Sequence, residues 1–462
     1  MARIKFNIQA FKNNIVIIII GTFTLFMGWD GEYNGGDIAA SRLSYLGTAP
    51  IDIWGSFSGF FYGEIPNRPV PWGMYLYILQ IALTVFSLIN MKKLLSFQNN
   101  FFHTLSFYIF AYLALCFATT LTRDATLSVF IIFGISIILL KPKLCKLNLS
   151  SHFFAVLIIS MGLALRPWLV LVVFLILFFL TDVNSSKKLL FGFVILGVIT
   201  PFFLNYSVSK LANIRNVHPE LQVMIMDGGS IACLSSYDKS RDEALKFLNS
   251  FNNSTYSTTD HCANFRINTW ATLGEWQMSR EESGVDWEPA LNYNITPTIT
   301  IYSNMSPEKY DEIRQAWVDL IIHNPKDYFR SKFIHFTQLL LLGDTSRLRF
   351  TKIFVDSLEH STNSIVSAVF FAPWDLIIFF HLLAPLPTLV LFSFIIILRG
   401  RRNEINDILK NRKISFIFTF MGVYLIMTTV AYIGDTGRYM YLPAILFWYF
   451  IALSTQKITH EK

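Results

Sequence analysis

Long apolar runs alternate with short polar connectors along most of this chain. Runs at 14–29, 72–90, 101–118, 125–140, 189–206, 374–398, 414–433 and 439–454 are each close to the length of apolar helix that crosses a bilayer. The stretch 153–180 is too long for one such helix and has Arg166-Pro167 near its middle, where proline breaks a helix. It is read as two short segments turning at Arg166, which brings the total to about ten crossings. Pro385 and Pro387 are expected to kink the run at 374–398.

Between the seventh and eighth segments, residues 207–332 are polar and too many for a connector. Ser306-Pro-Glu-Lys reads as a helix start, with Ser306 as N-cap and Pro307 in the first turn. Asn324-Pro325 starts a second helix. Ile313, Trp317, Leu320 and Ile321 recur at helical spacing and predict one buried face. Residues 333–342 form an apolar piece too short to span and are expected at the membrane interface. The expected organisation is a membrane module at 1–206 with an outer loop at 30–71, a small folded domain of mixed secondary structure at 207–332, and a second membrane module at 333–462.

Composition supports a polytopic membrane protein. The 462 residues are 53% hydrophobic and only 15% charged, where a soluble chain carries about a quarter charged. The net charge of +7 is a topology signal. Lysine and arginine gather in the connectors Arg3/Lys5/Lys12, Lys92/Lys93, Lys141/Lys143/Lys146, Lys187/Lys188, Arg399/Arg401/Arg402, Lys410/Arg412/Lys413 and Lys457/Lys462. Such clusters mark cytoplasmic loops, so both termini are expected inside, no nucleic-acid partner is expected, and a bacterial inner-membrane location fits. The basic, apolar N-terminus lacks a small-residue cleavage site, so the first helix is expected to be retained. Cys233 and Cys262 then fall outside, where disulfides persist, and are expected to pair.

The same topology sends most intramembrane charges to the outer face. Ionisable groups at that depth are costly and point to function. Asp30, Glu32 and Asp37 follow the first segment in a glycine-rich stretch suited to a general base or to sugar hydroxyls; a plain solvated loop is the other reading. Arg123-Asp124 separates two apolar runs, and can act on a ligand or form a local ion pair at a helix N-terminus. Arg166 has no adjacent acid and needs an anion, either a distant carboxylate or a phosphate, which its planar fork holds at two points. Arg438 repeats this in Gly434-Asp-Thr-Gly-Arg-Tyr439, beside Asp435. The histidines lack metal-ligand spacing, and P-loop, dinucleotide and Gly-x-Ser-x-Gly signatures are absent; a divalent ion has no ligand motif here. Asp227-Gly-Gly-Ser reads as a turn or a substrate loop, and Asn205, Asn253, Asn294 and Asn304 match glycosylation sequons that arise easily by chance.

An acid just after the first segment, a second acid between segments three and four, and short outer hairpins together resemble the GT-C superfamily of integral-membrane glycosyltransferases. Asp30 or Asp37 fills the first place and Asp124 the second. Within it, the chain is most similar to the serotype-converting O-antigen glucosyltransferases of bacteria and phage. The resemblance implies a GT-C-like all-α membrane fold. It also implies a polyprenyl-phosphate sugar donor, whose phosphate would meet Arg166 and Arg438 with Arg123 behind them, and a lipid-linked glycan acceptor. Asp30, Asp37 and Asp124 would be the catalytic acids; Glu32, Asp435 and Tyr439 would line the substrate. The chain departs from the family pattern in having several first-loop acids and no Asp-x-Asp. An O-antigen polymerase or ligase, working through arginines on a diphosphate-linked oligosaccharide, is the rival enzyme. A transporter or flippase is the rival outside catalysis, although no internal repeat is visible.

Overall fold

The computed structural model describes residues 8–27, 57, 61, 72–95, 101–118, 123–140, 149–170, 187–211, 221–250, 306–337, 417, 419–423, 426–427 and 441–455. Among these residues the protein is helical, with no strand. The helices are α1 (Ile8–Met27), α2 (Trp72–Leu94), α3 (Phe101–Ala118), α4 (Arg123–Leu140), α5 (Leu149–Ala164), α6 (Lys187–Leu211), α7 (Leu221–Leu234), α8 (Asp238–Asn249), α9 (Pro307–His323), α10 (Pro325–Thr337) and α11 (Tyr441–Thr455). A single 3-10 turn, Pro167–Val170, follows α5. Stretches of α2 (Tyr75–Leu94) and α6 (Phe191–Leu211) are long and apolar enough to cross a membrane. Shorter apolar helices lie at Thr104–Leu115, Ala125–Leu140 and Ser150–Ala164.

Side-chain contacts set the helix directions in the first bundle. Tyr77 Oη near the start of α2 donates to the Leu25 carbonyl at the end of α1, and a Cβ on Gly21 would strike Val85, so α1 and α2 are antiparallel. Thr126 Oγ1 donates to Gln80 Oε1 at 2.9 Å, and Asn90 Nδ2 to Ser136 Oγ at 3.5 Å. The two bonds link positions in the same order along both helices, so α2 and α4 run parallel, with α3 as the return between them. A Cβ on Gly134 would meet Ile159 and the Ala155 carbonyl, and one on Gly162 would lie 3.0 Å from Phe130 Cβ, which makes α4 and α5 antiparallel. Phe193 shares a core with Ala155 and Val156, while Val208 packs with Ala164 and Leu165. Thus α5 and α6 run parallel, which requires α6 to begin at the end of the bundle opposite to the one where α5 finishes.

That requirement bears on the break expected at Arg166. Helix α5 ends at Ala164, and the chain turns at Leu165–Arg166 into the 3-10 turn. Proline at 167 has no amide to continue the helix, and it disfavours helical geometry at the residue before it. The amides of Leu165, Arg166 and Leu169 all bond three residues back, to Gly162, Leu163 and Arg166. The second arm of the expected hairpin lies outside the described residues, as do the expected segments at 374–398 and most of 414–433.

The bundle's core is apolar with uncharged polar groups set into it, and the outward face of α6 is apolar too. Gln80, Thr84, Ser87, Thr126, Ser128, Ser136 and Ser160 are buried. Several hydroxyls return to their own helix, as Thr84 Oγ1 to the Gln80 carbonyl, Ser87 Oγ to Leu83 and Ser160 Oγ to Val156. Meanwhile α6 exposes Phe191, Ile195, Ile199, Phe202 and Phe203 along one face. Monomers in water seldom expose so continuous an apolar stripe. Helix α11 packs beside α3, where Tyr449 lies tilted against Phe110 with ring centres 5.0 Å apart and its hydroxyl donates to the Met91 carbonyl.

Helices α7 to α10 form a second cluster. The expected domain edges at 206/207 and 332/333 both fall inside helices, because α6 continues to Leu211 and α10 to Thr337. Ser306 caps α9 as expected, its Oγ accepting from the Lys309 amide at 3.2 Å, and Asn324-Pro325 separates α9 from α10. Ile313 and Leu320 are buried, with Trp317 and Ile321 half-buried beside them. Asp227-Gly-Gly-Ser is neither turn nor loop: it lies within α7. Gly228 is there for close approach, since a Cβ would sit 2.7 Å from Phe247 Cδ1 of α8.

Candidate functional site

The end of the bundle at which α1 finishes also holds the start of α2, the end of α3, the start of α4, the end of α5 and the end of α6. One buried cluster joins them: Phe57, Phe61, Leu76, Tyr77, Ile81, Ala118, Val129, Phe130, Ala164, Leu165 and Val208, with Leu25 and Leu204 against it. Phe57 and Phe61 belong to the stretch read as the first outer loop, and Phe61 meets Phe130 edge-on at 6.0 Å. Part of that loop is therefore anchored on this end.

Asn205 ties the end together. Its Nδ2 donates to the carbonyl of Ala164, the last residue of α5, at 2.8 Å and to the Pro201 carbonyl at 2.9 Å. Its Oδ1 accepts the Phe57 amide at 3.1 Å. One side chain thus satisfies a helix-end carbonyl and fixes the loop over the turn that carries Arg166. The sequence marked Asn205 only as a sequon; with its amide nitrogen on two carbonyls it is a structural residue. A polar side chain in an apolar helix four residues after a proline was the available signal.

The expected site residues are placed as follows. Arg123 and Asp124 begin α4 at this end, in its first turn. Arg166 sits in the adjacent turn, 4% exposed, and is engaged within the protein. A guanidinium kept inside a protein requires compensating acceptors or anions, because desolvation of a charge is expensive. Asp30, Glu32 and Asp37 lie outside the described residues, beginning three positions after the end of α1. Asp435, Arg438 and Tyr439 also lie outside them, just before α11. Cys233 is in α7 and Cys262 is outside, so the expected disulfide is not among the described features. Among the described residues no group of three His, Cys, Asp or Glu could hold a metal ion.

A second polar centre, absent from the sequence reading, lies between α7, α9 and α10. Lys332 Nζ is 2.6 Å from Asp227 Oδ1, and Trp317 Nε1 donates to Asp227 Oδ2 at 3.1 Å. Lys332 also lies 5.4 Å from the Tyr328 ring centre. Burial lifts the Asp227 carboxyl above the ordinary carboxylate range, against the charge and hydrogen bond of Lys332 and the bond from Trp317, which pull it down. Burial, and then the Asp227 charge, push the Tyr328 phenol up. Nearby, Ser235 Oγ donates to Asp327 Oδ2 at 2.8 Å and Asn324 Nδ2 to Glu243 Oε2 at 2.7 Å. Asp227 of α7 is bonded to both Trp317 of α9 and Lys332 of α10, so this centre clasps α7 to the α9–α10 pair.

No family model, no curated protein and no solved structure matches this chain.

Proposed function

We infer that the protein is a polytopic membrane glycosyltransferase with about ten transmembrane helices and its active face toward the periplasm. It transfers a hexose, glucose by the family resemblance, from a polyprenyl-phosphate donor to a lipid-linked glycan such as O-antigen, with inversion. The donor phosphate is held by arginines, Arg166 and Arg438 with Arg123 behind them. An acid of the first loop, Asp30 or Asp37, or else Asp124, takes the proton of the acceptor hydroxyl as that oxygen attacks the anomeric carbon. The phosphate leaves with the anomeric bond's electron pair, and arginine compensates its charge.

The observation that supports this reading most is the common end of the bundle. The end of α1, the first turn of α4 and the Arg166 turn converge there, and the anchored Phe57 holds part of the 30–71 stretch above them. Acids following α1 and opening α4 start from one small region beside a buried arginine. The apolar outer stripe of α6 and the two helices of spanning length support the membrane setting.

The direct test is transfer of labelled glucose from a polyprenyl-phosphate donor by membranes containing the full chain. General base catalysis contributes about 10²–10⁴-fold, so substituting the true base among Asp30→Ala, Asp37→Ala and Asp124→Ala is expected to cut transfer by about that factor. Arg166→Ala is expected to weaken donor use. Transfer undiminished in all three acid variants overturns the mechanism, and loss confined to the arginine variants moves the assignment to a polymerase or ligase.

A further inference from the structure

Helix α10 is built inside out. Its charged and polar residues Asp327, Ser331 and Lys332 are buried, held by Ser235, the Tyr328 carbonyl and Asp227. Its aromatic residues Phe329 and Phe333, one turn apart, are 70% and 65% exposed. Lys326 and Arg330 are exposed beside them. Helix α8 of the same cluster turns charges of both signs to the outside, with Asp238, Lys239 and Asp242 exposed. Water alone therefore does not account for the outer face of α10. Aromatic rings interleaved with cations are the composition of a helix lying in a membrane interface, with rings at the headgroup–acyl boundary and cations among the headgroups.

The tether favours a lipid surface over any other occupant. Helix α6 ends at Leu211 and α7 begins at Leu221, so the connector 212–220 spans at most about 30 Å, at roughly 3.3–3.6 Å per residue. The last turns of α6 carry exposed Tyr206, with Lys210 Nζ 5.7 Å from its ring centre, a pairing typical of helix ends at a membrane boundary. If α6 crosses the bilayer, the cluster cannot leave the neighbourhood of its surface.

We propose that the exposed face of α10 docks the helical cluster 221–337 onto the outer bilayer surface, seating Phe329 and Phe333 at the acyl boundary and Lys326 and Arg330 on anionic lipid headgroups. This rests on the membrane-spanning reading of α6. A cluster held this way presents its clasped helices at a fixed height above the bilayer, where a lipid-linked glycan emerges.

The test uses the full chain reconstituted in phosphatidylcholine vesicles containing phosphatidylglycerol, with a fluorescent amino acid encoded singly at 329, 333, 239 or 191, which leaves all four native cysteines in place. Brominated lipids should quench the probes at 329 and 333 nearly as strongly as the probe at 191 on the apolar face of α6, and leave the one at 239 bright. The double substitution Lys326→Glu/Arg330→Glu should weaken docking by about tenfold or more in anionic vesicles. Quenching at 191 but not at 329 and 333 overturns the docking while sparing the spanning helix. Absence of quenching at 191 as well overturns both. Shielding of 329 and 333 that follows protein density and not brominated lipid assigns the face to a second copy of the chain, and overturns the proposal too.

Discussion

The first bundle and the α7–α10 cluster both bury apolar side chains and differ in what they turn outward. In the bundle, polar groups such as Gln80, Thr84, Ser87, Thr126 and Ser136 are set into a core of Leu, Ile, Phe and Ala, and Phe and Ile also face outward on α6. In the cluster the inside is Ile231, Ala244, Phe247, Leu248, Ile313 and Leu320, and most of the outside is charged. To its apolar packing the bundle adds short polar bonds and glycine contacts between helices, of the kind that hold helices together where apolar burial offers no gain over the surroundings. The cluster relies on apolar burial, to which it adds one buried ion pair. The outer faces differ, and α10, with Phe329 and Phe333 exposed beside Lys326 and Arg330, is where the two patterns meet.

The comparison breaks most visibly at the clasp. Lys332→Met leaves Asp227 buried without its cation, which costs about 3–5 kcal/mol. The opening free energy from hydrogen exchange of α7 and α10 amides should fall accordingly, and the double variant Asp227→Asn/Lys332→Met should lose less than the single. The loss should also shrink on acidification. Burial already raises the Asp227 carboxyl, and removal of Lys332 raises it further. A raised carboxyl pKa penalises the folded state only when the group is ionised. The penalty is therefore absent below the unfolded value near 3.9 and grows as pH rises toward the folded one.

Next in size is the bolt at the end of the bundle. Asn205→Ala leaves the Ala164 carbonyl and the Phe57 amide without this partner, each worth about 1–3 kcal/mol. Thermal aggregation of detergent-solubilised protein should set in earlier, and glucose transfer should fall because the Arg166 turn and the first loop lose their common anchor. Gly134→Ala is comparable: its Cβ collides with Ile159 and the Ala155 carbonyl, so α4 and α5 must separate at about 1–3 kcal/mol. Gly192→Ala on α6 meets nothing within 4 Å and should be neutral or slightly stabilising. Thr126→Val is expected to cost less than Asn205→Ala or Gly134→Ala, because it removes one interhelical bond to Gln80 worth roughly 0.6 kcal/mol between membrane helices. Thermal midpoints of the same preparation rank all three.

These features differ in how far the sequence displayed them. Local signals were readable: the helix at 101–118, the start of α2 at Trp72, the cap at Ser306, the restart at Pro325 and the break before Pro167 all depend on a few adjacent residues. Helix ends with mixed polarity were not. Helix α6 continues through Ser207 to Leu211 because nothing there stops it, whereas the apolar pattern ends at Tyr206. The clasp joins Asp227 to Lys332 across much of the 207–332 region, and neither residue is unusual in its own neighbourhood. Asn205 looked like a chance sequon because its partners, Phe57 and Ala164, are remote in the chain. Of the candidate site, Arg123, Asp124 and Arg166 lie at one end of the bundle, while the first-loop acids and Asp435, Arg438 and Tyr439 fall outside the described residues.

Mass spectrometry of surface glycans from cells with and without this protein tests the central claim most directly. The account predicts a single added hexose on each glycan repeat in cells that carry it, lost when the base among Asp30, Asp37 and Asp124 is replaced. Glycans of unchanged composition that differ only in chain length would contradict it.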